Sequence, residues 1–252
     1  MLFLVLENIL IGLITSTVSG TAVWMWRRAH DRRTLAGQGE MFGLKPSGCC
    51  LIVVNHHWQK SGSTSHNDVL ALVSVASLAQ RLGNVISVLP DDESRERHGS
   101  CSEICIGGPR SNARTEAHLA TALPGVIVRP LSNRRDSSAF IVAGNRHLLD
   151  HGKVDHALVA RFPAGEAKHP VLLVCGQSAI ANRAAVAYLM DNHRSLAQHV
   201  ADVDRFCLLL RVESAKTFGV EATSLVADVT DAAFRPPAPP ALVAPVSSAA
   251  PG

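Results

Sequence analysis

Gly107 and Gly108 stand between a short apolar run and a helix start in "EICIGGPRSNARTEAHL", residues 103–119. Paired glycines let a backbone take positive φ and approach a ligand closely. The amides left free at a helix start, with the positive end of its dipole, attract an anion. Asn112 is placed to cap that helix and Arg114 to add a cation. The same arrangement recurs in "LVCGQSAIANRAA", where Gly176 precedes Asn182. The two segments echo each other: Asn112 and Leu119 have the spacing of Asn182 and Leu189, with Ala117 and Ala187 matched. A third junction, "VVNHHWQKSGSTSHND", offers Asn55, His57 and Trp58, two hydrogen-bonding side chains and a stacking face. Together these residues would hold a phosphate or a sugar over helix ends. The plainer reading is a tight turn followed by a capped helix.

"ARTEAHLA" puts Thr115 and Glu116 in the first turn behind the glycine pair. This segment of about ten residues resembles the nucleoside deoxyribosyltransferases and related nucleotide- or NAD-cleaving Rossmann-like domains. Those domains carry a glutamate on a helix beside the ligand, near small and Thr residues. The Gly-Thr expected before the glutamate is missing here, where Arg114 precedes Thr115. The resemblance implies a catalytic Glu116, acting as nucleophile or stabilising a sugar cation while an N-glycosidic bond breaks. The helix dipole alone also favours a glutamate at that position.

Other chemistries find little support. The GxGxxG dinucleotide fingerprint and the GxxxxGK[ST] phosphate loop are both absent. Ser178 lacks the second glycine of a nucleophile elbow. His56, His57 and His66 in one loop, or His147 and His151 at helical spacing in "HLLDHGKVDH", have metal-ligand spacing without a supporting motif. We expect hydrogen-bonding histidines, with 147–151 closing a short helix, and assign no metal; the cofactor is left unknown.

The elements that must position these residues are short apolar runs alternating with helical patterns. "CCLIVVN" (49–55), "NVISVLP" (84–90), "EICIGGP", "GVIVRP" (125–130), "SAFIVAG" (138–144), "HALVARFP" (156–163), "HPVLLVCG" (169–176) and "RFCLLLRV" (205–212) read as strands. Helices are expected over 67–83, opened by an Asn–Asp cap and stopped by Gly83, over 112–122 and over 180–199. This order predicts an α/β fold, a Rossmann-like and mostly parallel sheet with flanking helices. Helical pattern is sparse between "SAFIVAG" and "HPVLLVCG", so a hairpin is expected to interrupt the parallel order there. In such sheets ligands bind beyond the carboxyl ends of the strands.

Residues 2–26, "LFLVLENILIGLITSTVSGTAVWMW", hold one charge, Glu7. As a helix they would extend about 37 Å, enough to cross a hydrocarbon layer of roughly 30 Å. Trp24 and Trp26 would lie at headgroup level, with Arg27, Arg28, Arg32 and Arg33 just beyond. Nothing basic precedes the apolar stretch, unlike a cleaved signal peptide. The chain therefore reads as a single-pass transmembrane helix whose C-terminal side stays in the cytoplasm. Gly12, Ser16 and Gly20 recur every four residues and would suit a helix–helix contact, hence a homo-oligomer.

The expected organisation is a transmembrane anchor (1–26), a charged, Gly-rich juxtamembrane linker (27–48), an α/β domain (49–234) and a disordered Pro/Ala-rich tail (235–252). Hydrophobic residues make up 47% and charged residues 18%, which suits a substantial core. A net charge of +3, with no aromatic-interleaved basic run, argues against a nucleic-acid partner. The six cysteines form no CxxC pair. Most sit in apolar runs, so they are expected as free, buried thiols of a reducing compartment. The resulting expectation is a membrane-anchored domain that binds a nucleotide or other phosphorylated small molecule as a sensor or effector. Its rivals are the N-glycosidic enzyme built on Glu116 and a protein-interaction scaffold.

Overall fold

The computed structural model describes residues 2–55, 64–90, 99–130, 138–164, 166 and 169–236, and the side chains among them except those of 2–14, 130 and 138. The long helix α1 (Leu2–Phe42) leads into β1 (Cys49–Val54), α2 (His66–Arg81) and β2 (Val85–Pro90). Then come β3 (Ser102–Ile106), α3 (Ala113–Ala122) and three short strands, β4 (Ile127–Pro130), β5 (Ser138–Val142) and β6 (Asn145–His147). The chain continues through β7 (Val154–Ala164), β8 (His169–Gly176), α4 (Ala179–His199) and β9 (Phe206–Glu213). It closes on α5 (Ala215–Phe218), β10 (Thr223–Asp228) and α6 (Thr230–Ala233).

Seven strands form one mixed sheet in the order β10-β9-β7-β8-β3-β1-β2. β2, β1, β3 and β8 run parallel, whereas β7 is antiparallel to both β8 and β9, and β10 to β9. Parallel order thus holds for the first half only. The expected interruption is the β7–β8 hairpin, joined by too few residues to return the chain to the opposite edge. β4, β5 and β6 make a separate antiparallel sheet.

Apolar residues alternate between two cores because strand side chains point to opposite faces. Cys50 and Ile52 of β1 join α1, α2 and α4 through Phe42, Val75, Leu78 and Leu189. Leu51 and Val53 face the other side, with Leu119 of α3 and Leu123 at its C-cap, Phe140 of the small sheet and Ala233 of α6. This two-sided coverage is why "CCLIVV" is apolar at every position.

Within the stretch expected as a linker (27–48), residues 27–42 are the end of α1, which continues to Phe42. Glycine lowers helix propensity, so "AGQGEMFG" reads as a break. Here the small residues let the helix come close to its neighbours. A Cβ on Gly37 would lie 2.8 Å from the His193 ring of α4, and one on Gly39 2.8 Å from Leu82. Gln38 donates to the Met190 carbonyl and Arg194 donates to Thr34. α1 ends in a Schellman motif, with Gly43 at φ +70 and bonds from Leu44 N to Gly39 O and from Gly43 N to Glu40 O. The Arg161 guanidinium donates to the Glu40 carbonyl and pairs with Asp204. Before Thr34 the picture changes: residues 15–33 of α1 are all exposed.

Among the described residues no helix is long and apolar enough to cross a membrane. The side chains of 2–14, the most apolar part of the expected anchor, lie outside the described residues.

The cysteine expectation is corrected at one pair. Cys49 and Cys101 form a disulfide, while Cys50, Cys105, Cys175 and Cys207 are free and buried. Cys49 opens β1 and Cys101 directly precedes β3, its parallel neighbour. Only the sheet brings together two cysteines 52 positions apart.

Candidate functional site

β1 pairs with β2 on one side and β3 on the other, and their following helices cover opposite faces. Chain order therefore reverses between β1 and β3, which makes this the topological switch point of the parallel half. Asn55 leaves β1 and Gly107 leaves β3 at this point, with Gly176 at the end of β8 on the next strand over. The three junctions singled out in the sequence share one rim.

Contact there is close. Gly107 has φ +124, and a Cβ on it would meet the Asn55 Cβ at 2.7 Å, so both space and conformation require glycine. Gly107 N donates to Val174 O of β8. Gly176 is equally confined, since a Cβ there would lie 2.7 Å from Asn182 N and 2.8 Å from Ser178 O. Gly108 faces the Gly176 carbonyl across the rim.

Asp68, fully buried in the first turn of α2, joins the junctions. Its Oδ2 accepts from Asn55 Nδ2 at 2.9 Å and its Oδ1 from Asn182 Nδ2 at 2.8 Å. Asn182 in turn accepts from Gly176 N at 2.6 Å. The expected Asn–Asp cap is thus replaced: Ser65 is the N-cap residue of α2, without a side-chain bond, and Asp68 turns inward. Burial raises the Asp68 pKa above its ordinary value, and the Asn182 and Asn55 amides offset part of the rise.

Asn112 caps α3 as expected, its Oδ1 accepting from Thr115 N, while its Nδ2 donates to Ile106 O. Asn112 and Asn182 both tie a helix start to the preceding strand end. Their places differ: one is the cap residue itself, the other lies inside the helix, where Ser178 is the cap.

The antiparallel β7 adds its N-terminal end to the same rim. Ser178 Oγ donates to Asp155 Oδ2 at 3.1 Å. Gln177 accepts from the His156 backbone amide and donates to His147 O. The edge-on His147–His156 pair has ring centroids 5.3 Å apart. Burial lowers both pKa values, which favours the neutral form of each ring, although the Gln177 bond offsets part of the shift at His156. Burial raises that of Asp155, against the Ser178 bond and the His151 charge. The expected helix end at 147–151 is instead a strand end and a turn, with Gly152 at φ +81. Asn55 Oδ1, Thr115 Oγ1 and Asp155 Oδ1 are buried acceptors without a partner among the described residues.

Two expected site residues stand apart. Arg114 lies back along α3, bonded to Glu103 through Nε at 2.9 Å and Nη2 at 3.2 Å. Glu116 is exposed on α3. His57 and Trp58 lie outside the described residues.

A second polar cluster, which the sequence analysis did not single out, lies on the α3 side of the sheet. Glu103 accepts from Arg114 and bonds His118 Nε2 at 2.7 Å, and Cys105 Sγ donates to it at 3.3 Å. Burial pushes the Glu103 carboxyl up, but His118 and Arg114 outweigh it and hold the value at about 2. Glu103, Cys105 and His118 bring three potential metal-ligand atoms within 4.8 Å of one another. The Arg114 guanidinium already supplies a cation to this carboxylate, so the group is complete as an ion-paired brace. The only sequence signal was the i, i+4 spacing of Arg114 and His118 on a helix behind a strand glutamate.

The rim gathers amide and hydroxyl groups at the switch point, the position where doubly wound sheets bind their ligands. That is the class the geometry defines: a mixed α/β domain with a polar rim at its switch point. No family model matches the chain, and neither the curated proteins nor the solved structures give a match.

Proposed function

We propose that the rim between β1, β3 and β8 binds a nucleotide or other phosphorylated small molecule, and that the protein acts as a sensor or effector. The observation that carries this reading is the convergence of Asn55, Gly107, Gly108, Gly176 and Asn182 at the switch point. Asn55 Oδ1, a buried acceptor without a partner among the described residues, adds to the polar character of this rim. Titration calorimetry of the full chain with ATP, a nucleotide sugar and a cyclic dinucleotide tests it. One of these should bind, and Asn55→Leu should weaken that binding about tenfold, as for one lost hydrogen bond. Silence with all three overturns the reading.

Residues 2–26 then serve as a single-pass bilayer anchor, supported by their composition and by the exposed Trp24 and Trp26 beside the arginines. The arginine flank favours a cytoplasmic domain. The Cys49–Cys101 disulfide favours the opposite, oxidising side. Thiol labelling of intact cells, before and after reduction, separates the two orientations.

A further inference from the structure

Where α1 leaves the domain, one stripe of its surface faces the end of α2. Trp24, Arg27, Arg28, Asp31, Arg32 and Leu35 follow helical spacing, and together with Arg81 of α2 they line a cavity of about 470 Å³. Four arginines face one aspartate, so the lining is strongly cationic. The Arg28 guanidinium lies 5.2 Å over the Trp24 ring, which holds it towards the cavity's apolar edge. Beside and before the first of these residues, Val18, Val23, Met25 and Trp26 are all more than half exposed. The cavity therefore sits where apolar surface gives way to basic surface, partly on the helix and partly on the domain.

We propose that this cavity binds the headgroup phosphate of an anionic phospholipid. An anionic lipid satisfies both halves at once: its phosphate meets Arg27, Arg28, Arg32 and Arg81, and its acyl chains follow Trp24 and Trp26 into the bilayer. A soluble anion would meet only the first. The inference rests on the reading of α1 as an anchor. It adds that Arg81, far along the chain, docks the folded domain against the membrane surface.

The test uses the full chain in neutral detergent, titrated by calorimetry with short-chain phosphatidylglycerol, short-chain phosphatidylcholine and inorganic phosphate. Phosphatidylglycerol should bind at least about tenfold more tightly than phosphatidylcholine, equivalent to roughly 1.4 kcal/mol. Arg81→Glu and, separately, Arg28→Gln should remove that preference. Equal binding of the two lipids, or an undiminished preference in both variants, overturns the proposal. So does phosphate binding as tight as that of phosphatidylglycerol, which would mark a free-anion site. Flotation of the same chain with neutral phosphatidylcholine vesicles tests the anchor by itself: flotation without headgroup preference leaves the anchor standing and removes only this site.

Discussion

β1 and β3 are joined in different ways at their two ends. At the N-terminal end the Cys49–Cys101 disulfide links them, and Ser102 donates to the Gly43 carbonyl at the end of α1. One residue further, Glu103 is held by Arg114 and His118. At the carboxyl end the joins are neutral: amides of Asn55 and Asn182 on Asp68, and two glycines in close approach. The two buried carboxyls record the difference. Arg114 and His118 together overcome the desolvation of Glu103, whereas the amides of Asn182 and Asn55 only offset part of that of Asp68. One end is braced by charge and a covalent bond. The other keeps buried oxygens, Asn55 Oδ1 and Asp155 Oδ1, that have no partner among the described residues.

The largest test breaks the brace. Glu103→Ala leaves the partly buried Arg114 and the buried His118 without their carboxylate and should cost about 3–5 kcal/mol in urea unfolding. Next, Cys49→Ser with Cys101→Ser opens the covalent link and should cost about 2–5 kcal/mol, while reduction should leave that double variant unchanged. At the other end, Gly107→Ala meets Asn55 and a positive φ and should cost roughly 1–3 kcal/mol. If it costs nothing, the close approach at the rim is wrong.

The smallest effects sharpen the contrast through pH. The Glu103 value is lowered from 4.5 to about 2 on folding. Its stabilisation is therefore present above pH 4.5 and lost as pH falls towards 2. The Asp68 value is raised above 3.8, so its contribution has the opposite sign: it is present below pH 3.8 and lost as pH rises through the folded value. Urea midpoints against pH should show Asp68→Asn abolishing the second slope and keeping the first. At neutral pH that variant should change stability by only about 1–2 kcal/mol. Slopes of one sign in both variants would remove the distinction between the two ends.

Most strands and helices were legible in the sequence, because burial on both faces writes an unbroken apolar run and one-sided helix burial writes a 3.6-residue period. "HPVLLVCG" is β8 residue for residue, and Gly83 follows the C-cap of α2 as expected. The edge strand β10 was missed: only alternate residues of "TSLVAD" are turned inward, and the flanking segments carry no strong turn signal. The disulfide was missed because its partners are neighbours only through strand pairing, and the α1 extension because helix glycines read as breaks.

The sequence alone determined which segments are buried and that three glycine and asparagine junctions would end strands or start helices, since both follow from local side-chain pattern and backbone freedom. Tertiary structure decided strand direction, the meeting of two of those junctions on Asp68, and the commitment of Arg114 to Glu103 rather than to the rim. Each of these depends on residues far apart in the chain. A local pattern carries no information about which distant segment will complete a hydrogen bond or neutralise a buried charge.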